Sequence, residues 1–515
     1  MWSPTCTPPV IALSKSARII PVTLWPLASL LLAFLPPSVA AQEIAPDYPF
    51  DYHSYTEEIV QRGIQAIKLC SGLFTSDRTA DQVYAQELAG MGDMVPRDRV
   101  EINHALKAVA VGVGGSDPVP AMRSAYREGL GCVVMAPHQT FDDIDKLPIL
   151  RMAPPPGDPS QIAWPDGDLV QAKPLPGYID QTALESAGDW TIDRIGNGGH
   201  EGQVTLSLLV IHGGDIILER YAPGVDMHTR TRTWSTGKSV TSTVVGIAVG
   251  QGILEVDEPL PFGWPPDEDS NAPDPRSEIT LRHVLNMSSG LYPVDNEYQK
   301  VIGSHLAYFG GWDGYYHARD RGMVHEPGTV MDYENYDTLL VLAALQGALG
   351  DQQAFLEFPR RFLLDKIGMR STLPGVDRFG NYVMSSQVYT NARDLGRLGL
   401  LYVNRGRWNG EQIIPETWVD FVRTPAPATR DTGNGYGAQW WLVPDSRSDL
   451  PQDAYSTSGA RGQFTILVPS YDLVIVRRGL DWRQGSPGSG LSNWDLLAEV
   501  LKAFPPRPGA TKMGG

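Results

Sequence analysis

Between Ser54 and Leu69 the apolar residues of SYTEEIVQRGIQAIKL recur at helical spacing, with Ile59, Ile64 and Ile67 on or near one face. Periodicity of this kind, from about Tyr52 to Ala110, predicts a small, mostly helical N-terminal domain, taken as residues 42–150. The Pro/Gly/Asp-rich run APPPGDPSQIAWPDGD (Ala153 to Asp168), continuing through KPLPG, then predicts a linker or a wrapping loop within 151–200. From Val204 the pattern turns to strands. VTLSLLVI, a turn at HGGD (His212 to Asp215) and IILERYA form a predicted hairpin. QFTILVP (Gln463 to Pro469), Ser470-Tyr471-Asp472 and LVIVRRG predict a second. Helical stretches lie between and after them, at Asp337 to Leu349, Ala392 to Gly406 and Trp494 to Phe504. Strands at both ends of a region with helices between them predict one antiparallel sheet completed by distant segments, an α+β arrangement with a helical insert.

Composition places the chain among globular proteins: 515 residues, 42% hydrophobic and 20% charged, leave room for two or three domains. The formal charge is −17 and no cluster of five basic residues occurs, which argues against nucleic acid as a partner. Lys15 and Arg18 precede an apolar stretch from Ile19 to Leu35 that ends in PPSVAAQ, with small residues at Ser38, Ala40 and Ala41. These flanks predict a signal peptide over 1–41 and a periplasmic or secreted mature protein. A retained anchor is the alternative, but Pro21, Pro26 and Pro36-Pro37 interrupt a segment already short for a span. No other stretch is apolar enough to cross a bilayer, so no stable membrane span is expected after cleavage. Cys6 leaves with the signal; Cys70 and Cys132 remain, either as one disulfide or as two buried thiols. Residues 508–515 are expected to form a flexible tail.

Candidate chemistry concentrates in TWSTGKSVTS, Thr233 to Ser242. Gly237-Lys238-Ser239 could end a phosphate-binding loop, but that loop needs glycine five positions before the Gly-Lys pair, and Arg232 stands there. The other reading pairs Ser235 with Lys238, one helical turn away on the same face. SVTSTVVGIAVGQG supplies the helix, with Val240, Val244, Ile247 and Ala248 as its buried stripe and Gly252 near its stop. Ser235 then sits in the first turn, where exposed N–H groups can stabilise an oxyanion. Ser-x-x-Lys is a weak motif by itself, and its wider setting decides the matter.

From about Val204 to Phe504 the chain resembles the serine β-lactamase and penicillin-binding-protein superfamily, especially its class C and esterase branch, which includes enzymes of the 6-aminohexanoate-dimer-hydrolase type. WSTGKSVTSTVVGIAVGQGILEVDEPL is similar to that branch's Ser-x-x-Lys helix and Gly-x-Leu-x-x-Asp turn, and ITLRHVLNMSSGL to its segment ending in Ser-Ser-Gly-Leu, here Ser288 to Leu291. EPGTVMDYENYDTLL matches the Pro-Gly phrase before Tyr-x-Asn, at Pro327, Gly328, Tyr333 and Asn335. The resemblance implies that Tyr333 exchanges a proton with Ser235 beside the charge of Lys238, and that Asn335 orients substrate or lysine. The third motif, Lys-[Ser/Thr]-Gly in the family, corresponds to Thr457-Ser458-Gly459, without the lysine. By this carry-over Ser458 and Gly459 line the site, and the N–H groups of Ala460 and Ser235 form the oxyanion hole. Arg461 would then either replace the missing lysine or sit on the surface.

The implied fold over 201–507 is α+β, an antiparallel sheet flanked by helices with an inserted all-helical subdomain. The implied function is an exported serine hydrolase, a carboxylesterase or amidase, acting on a small-molecule ester or amide through an acyl-enzyme on Ser235, with no cofactor. The alternatives are a penicillin-recognising β-lactamase or D-alanyl-D-alanine peptidase, or a binding or sensor protein without turnover. Metal chemistry is disfavoured: His325-Glu326 is followed by Pro327, which breaks the helix a zinc motif requires. Asp394 is expected to be a helix-start or packing residue, and of Trp440 and Trp441 at least one is expected in the core.

Overall fold

Chain entry into the fold is made by an unusually enclosed helix, α1 (Thr56–Phe74). Glu57 and Glu58 favour its first turn through the helix dipole. Ile59, Ile64 and Ile67 are buried as the periodicity predicts, but so are Arg62, Gln65 and Lys68 on its polar face. A short α2 (Ala80–Gln86) follows, opened by a capping box between Thr79 and Gln82. The computed structural model describes residues 54–89, 91, 94–265, 273–294, 303–430, 433, 435–481 and 490–506. The expected signal segment and C-terminal tail lie outside these residues.

The expected N-terminal helical region is therefore present, and a sheet accompanies it that the periodicity did not reveal. β1 (Val100–Asn103), β2 (Ala108–Val111), β3 (Met122–Arg127) and β4 (Gly131–Val134) form a four-stranded antiparallel meander. Strands this short give no clear two-residue alternation, and alanine-rich HALKAVAV reads equally as helix. Cys70 of α1 and Cys132 of β4 form a disulfide, with Cα atoms 6.1 Å apart.

The main sheet begins with α3 (Gln181–Ile192), then β5 (Thr205–His212) and β6 (Asp215–Tyr221). Gly213 and Gly214 both take positive φ, +59° and +84°, as a two-residue hairpin turn of matching twist requires. After β7 (Thr231–Arg232), α4 (Thr236–Gly250) and α5 (Leu281–Leu285) comes an insert dominated by helices. It carries the short strands β8 (Leu373–Pro374), β9 (Val388–Thr390), β10 (Arg407–Trp408) and β11 (Glu411–Gln412). β12 (Tyr436–Gly437), β13 (Trp440–Leu442), β14 (Tyr455–Gly459), β15 (Gln463–Val468) and β16 (Leu473–Gly479) then complete a seven-stranded sheet in the order β12-β13-β14-β15-β16-β5-β6. Every pairing in it is antiparallel.

Alternate residues of the central strands enter two cores. Leu208, Val210, Ile466 and Ile475 pack with α3 and the C-terminal helix Asn493–Leu501, while Leu209, Ile211, Leu467 and Val474 face α4 and the helix Ala392–Val403. The second core also contains Ile59, Val83, Val109 and Val133, so the described residues form one compact unit. The Pro/Gly-rich passage wraps this unit. Arg397 donates to the carbonyls of Pro165 and Gly167 at 2.7 and 2.6 Å, and Trp408 donates to Asp166 at 2.7 Å. Among the described residues, no helix is long and apolar enough to cross a membrane.

Candidate active site

Ser235 is the residue on which α4 begins, and its side chain makes no capping hydrogen bond. Its Oγ is thereby not committed to the helix. The preceding Trp234 has φ +51°, a left-handed conformation that costs a bulky residue on the order of 1–3 kcal/mol and must be held by its neighbours. Two cations do so: the Arg232 guanidinium lies 3.9 Å and Lys68 Nζ 5.0 Å from the centre of the indole. The turn is packed too closely for larger residues. A Cβ on Gly237 would stand 2.3 Å from the Met384 carbonyl oxygen.

One turn along α4, Lys238 is 1% exposed and donates from Nζ to Asn335 Oδ1 at 2.6 Å and to the Ser385 carbonyl at 3.2 Å. Its Nζ lies 4.9 Å from the centre of the Tyr333 ring. The Ser235 side chain lies within reach of the Tyr333 phenol. Burial pushes the Tyr333 phenol well above its ordinary range, and the nearby Ser235 side chain offsets only part of this. Asn335, the first residue of the helix Asn335–Leu349, is oriented by donating from Nδ2 to Ser304 Oγ at 3.1 Å. The structure therefore brings Ser235, Lys238, Tyr333 and Asn335 together from two helix starts nearly a hundred residues apart.

The loop that carries Tyr333 is tied down by the Ser-Ser-Gly-Leu segment. Asp332 N–H donates to the Met287 carbonyl at 2.7 Å, and Gly328 N–H to the Ser288 carbonyl at 2.7 Å. Ser289 Oγ and Arg321 Nη2 both donate to Asp337 Oδ1, at 2.9 and 3.0 Å. Burial raises the Asp337 carboxyl, opposed by Arg321 and Ser289.

The third motif lies on β14, whose pairing with β15 places Ser458 opposite Phe464 and Gly459 opposite Gln463. Gly459 meets the Ser235 turn directly, since a Cβ there would stand 2.2 Å from the Thr233 carbonyl oxygen and 3.0 Å from Thr236 N. Thr236 Oγ1 completes the contact, donating towards Gln463 O at 2.9 Å and Thr457 Oγ1 at 3.0 Å. Ala460 follows as the first, exposed residue of the turn into β15. Arg461 takes neither role expected of it. With φ +63° it turns towards α2, donating to the carbonyls of Gln86 and Glu87 at 2.9 and 3.3 Å and pairing with the Glu87 carboxylate at 3.5 Å. It is thus neither a surface residue nor a partner for a substrate carboxylate.

Trp440 is fully buried against Tyr402 and Tyr455, whereas Trp441 is half-buried with its ring 5.4 Å from that of Tyr333. Asp394 accepts from Ser371 N–H, Thr372 Oγ1 and Arg397 Nη1 at 2.8–2.9 Å, which is the packing role expected. Sequence reasoning missed Gln439, whose Oε1 accepts from Thr338 Oγ1 at 2.8 Å and whose carbonyl accepts from Ser239 Oγ at 2.8 Å. It also missed Ser304 and the Ser385 carbonyl. None of these lies in a local motif, because each acts across a tertiary contact.

Residues 192–499 match the model of a family described as Beta-lactamase. A 6-aminohexanoate-dimer hydrolase from Paenarthrobacter ureafaciens is 23% identical over 306 residues, which cover 53% of this chain and 72% of that protein. An uncharacterized protein of Alkalihalophilus pseudofirmus is 24% identical over 331 residues, covering 58% and 88% respectively. Among solved structures, a family VIII carboxylesterase superposes with a TM-score of 0.50 at 13% identity, over 65% of this chain and 99% of that one. The family match spans more than half of the chain and takes in Ser235, Tyr333 and Gly459, and by it the protein belongs to the Beta-lactamase family of hydrolase-type folds.

Proposed function

We propose that the protein is a serine hydrolase that cleaves ester or amide bonds through an acyl-enzyme on Ser235. The observation that carries this reading is the convergence on Tyr333 of Ser235 and Lys238, one turn apart on α4, with Lys238 Nζ 4.9 Å from the centre of the Tyr333 ring. A serine hydroxyl attacks only when a neighbour takes its proton. Tyr333 receives it, and the nearby Lys238 amine offsets the charge that burial would otherwise forbid on the phenol. The N–H groups of Ser235 and Ala460 then stabilise the oxyanion, the proton passes to the leaving group, and water releases the acyl chain. Asn335 keeps Lys238 in place.

The substrate is neutral near its acyl group. Ser458 follows Thr457 where lactam-directed relatives carry lysine, and Arg461 is engaged by Gln86 and Glu87. A similar protein bears the name 6-aminohexanoate-dimer hydrolase, which supports hydrolysis as the reaction. Purified protein is expected to hydrolyse a short-chain nitrophenyl ester faster than a chromogenic cephalosporin, with the ester activity lost in Ser235→Ala. The reverse preference, or a stable stoichiometric adduct without turnover, would replace this reading with a penicillin-directed or a sensor role. The leader-like N-terminus and the Cys70–Cys132 disulfide support export to an oxidising compartment. Fractionation and N-terminal sequencing of the mature chain test it, with a new terminus expected after Ala40 or Ala41.

A further inference from the structure

Residues that precede the family-matched region touch the catalytic region at two telling points. Lys68, midway along α1 and 3% exposed, sets Nζ 5.0 Å from the ring centre of Trp234, the residue before Ser235. At the end of α2, the carbonyls of Gln86 and Glu87 receive hydrogen bonds from Arg461, the residue after Ala460. Trp234 and Arg461 both have positive φ, +51° and +63°, a conformation that persists only where surrounding contacts impose it. Glu87 joins the two points into one network. Its Oε2 lies 3.7 Å from Lys68 Nζ and 3.5 Å from Arg461 Nη1, while Oε1 accepts from Arg78 at 3.0 Å. Cys70, two residues beyond Lys68, anchors α1 to β4.

We infer that Lys68 and Glu87 are positioning residues, which act through Trp234 and Arg461 to keep the Ser235 and Ala460 N–H groups aligned. The inference rests on the oxyanion role given to those groups above. It makes the N-terminal region a buttress of the active site. The groups facing Lys68 are Glu87 from the end of α2, Arg232 from β7 and Arg461 from the turn after β14; Lys68, Arg78, Arg461 and Arg232 face Glu87. Burial lowers Lys68, Glu87 opposes this and the two arginines add to it, leaving the amine at about 7. Burial raises Glu87, but the four cations outweigh it and hold the carboxyl below its usual range. The cation over Trp234 is therefore lost as pH rises through neutrality.

The test compares Lys68→Met, Lys68→Arg and Glu87→Gln with the intact protein, each shown to melt cooperatively. Hydrogen exchange is followed in peptides covering 231–238 and 459–463, together with kcat and KM on the nitrophenyl ester and the rate of Ser235 labelling by a fluorophosphonate. In Lys68→Met, exchange at both turns should accelerate and kcat should fall about tenfold with little change in KM, as expected for misaligned transition-state donors. The inflection of kcat near neutral pH should disappear, and Lys68→Arg should restore most of the rate. Unchanged exchange and kcat in folded Lys68→Met would overturn the inference. If Ser235 of the intact protein is not labelled, the acyl-enzyme reading fails, and exchange at the two turns alone decides the buttress. Should Glu87→Gln not fold, Lys68→Met carries the test, because it removes a buried amine and leaves the other cations their carboxylate.

Discussion

Two buried lysines border the Trp234–Ser235 turn, and they are held by different means. Lys238, inside the family-matched region, donates to neutral acceptors at hydrogen-bond distance, Asn335 Oδ1 and the Ser385 carbonyl. Lys68, from the N-terminal region, has its nearest carboxylate at 3.7 Å and shares it with Arg78 and Arg461. The first arrangement fixes a side chain in position by geometry. The second balances buried charges against one another, which makes it sensitive to pH and to the loss of any one member. The family-matched region thus holds its own lysine by fixed hydrogen bonds, and in the proposed buttress the N-terminal region adds a support whose strength varies with conditions.

Four experiments bear on this contrast, beginning with the largest effect. Ser235→Ala should lower kcat for ester hydrolysis by more than about a thousandfold without altering the melting temperature, because the side chain caps nothing. Residual turnover near wild type would place the nucleophile elsewhere. Replacing Cys70 and Cys132 by serine opens a cross-link of sequence separation 62, and should cost about 4 kcal/mol in denaturant unfolding. The loss should be accompanied by faster exchange at residues 231–238 if α1 supports that turn. Tyr333→Phe should reduce kcat by about a hundredfold or more while KM stays within a few-fold, the range for losing a proton-transfer group. An equal loss in Lys68→Met would erase the distinction between a catalytic and a supporting group.

The smallest effect concerns stability against pH. Folding lowers Lys68 from 10.5 to about 7, so between these values the unfolded chain binds the extra proton. Stability should therefore rise with pH across that window, and be lowest below neutrality, where the folded protein must hold the buried charge. Urea midpoints measured from pH 6 to 9 should climb for the wild type relative to Lys68→Met. Parallel curves would show that Lys68 does not titrate in the folded state.

Much of the family-matched region was legible because its signals are local. The hairpin at His212–Asp215 is announced by two adjacent glycines, and Ser235 and Lys238 share a helix face by spacing alone. Tyr333 and Asn335 could be placed only through a family resemblance, since nothing local says which tyrosine meets a serine about a hundred residues earlier. The meander of β1 to β4 escaped because strands of four to six residues are too short to show a readable period. Arg461 was misread for a different reason. A charged residue after an active-site strand has no sequence mark of its direction, and its left-handed φ turned it towards α2 instead of the substrate.

By itself the sequence determined the two main hairpins and the helices between and after them, the helix that begins at Ser235, the absence of the third-motif lysine and the two cysteines able to pair. Those features depend on residue type and near-neighbour spacing, which the covalent chain carries directly. The tertiary structure decided that α1 is enclosed on all sides from Arg62 to Gly72, that Glu87 gathers Lys68, Arg78 and Arg461, and that Gly459 touches the Ser235 turn. Each of these depends on the distance between segments remote in sequence, and that distance is set by how the two cores pack against the main sheet.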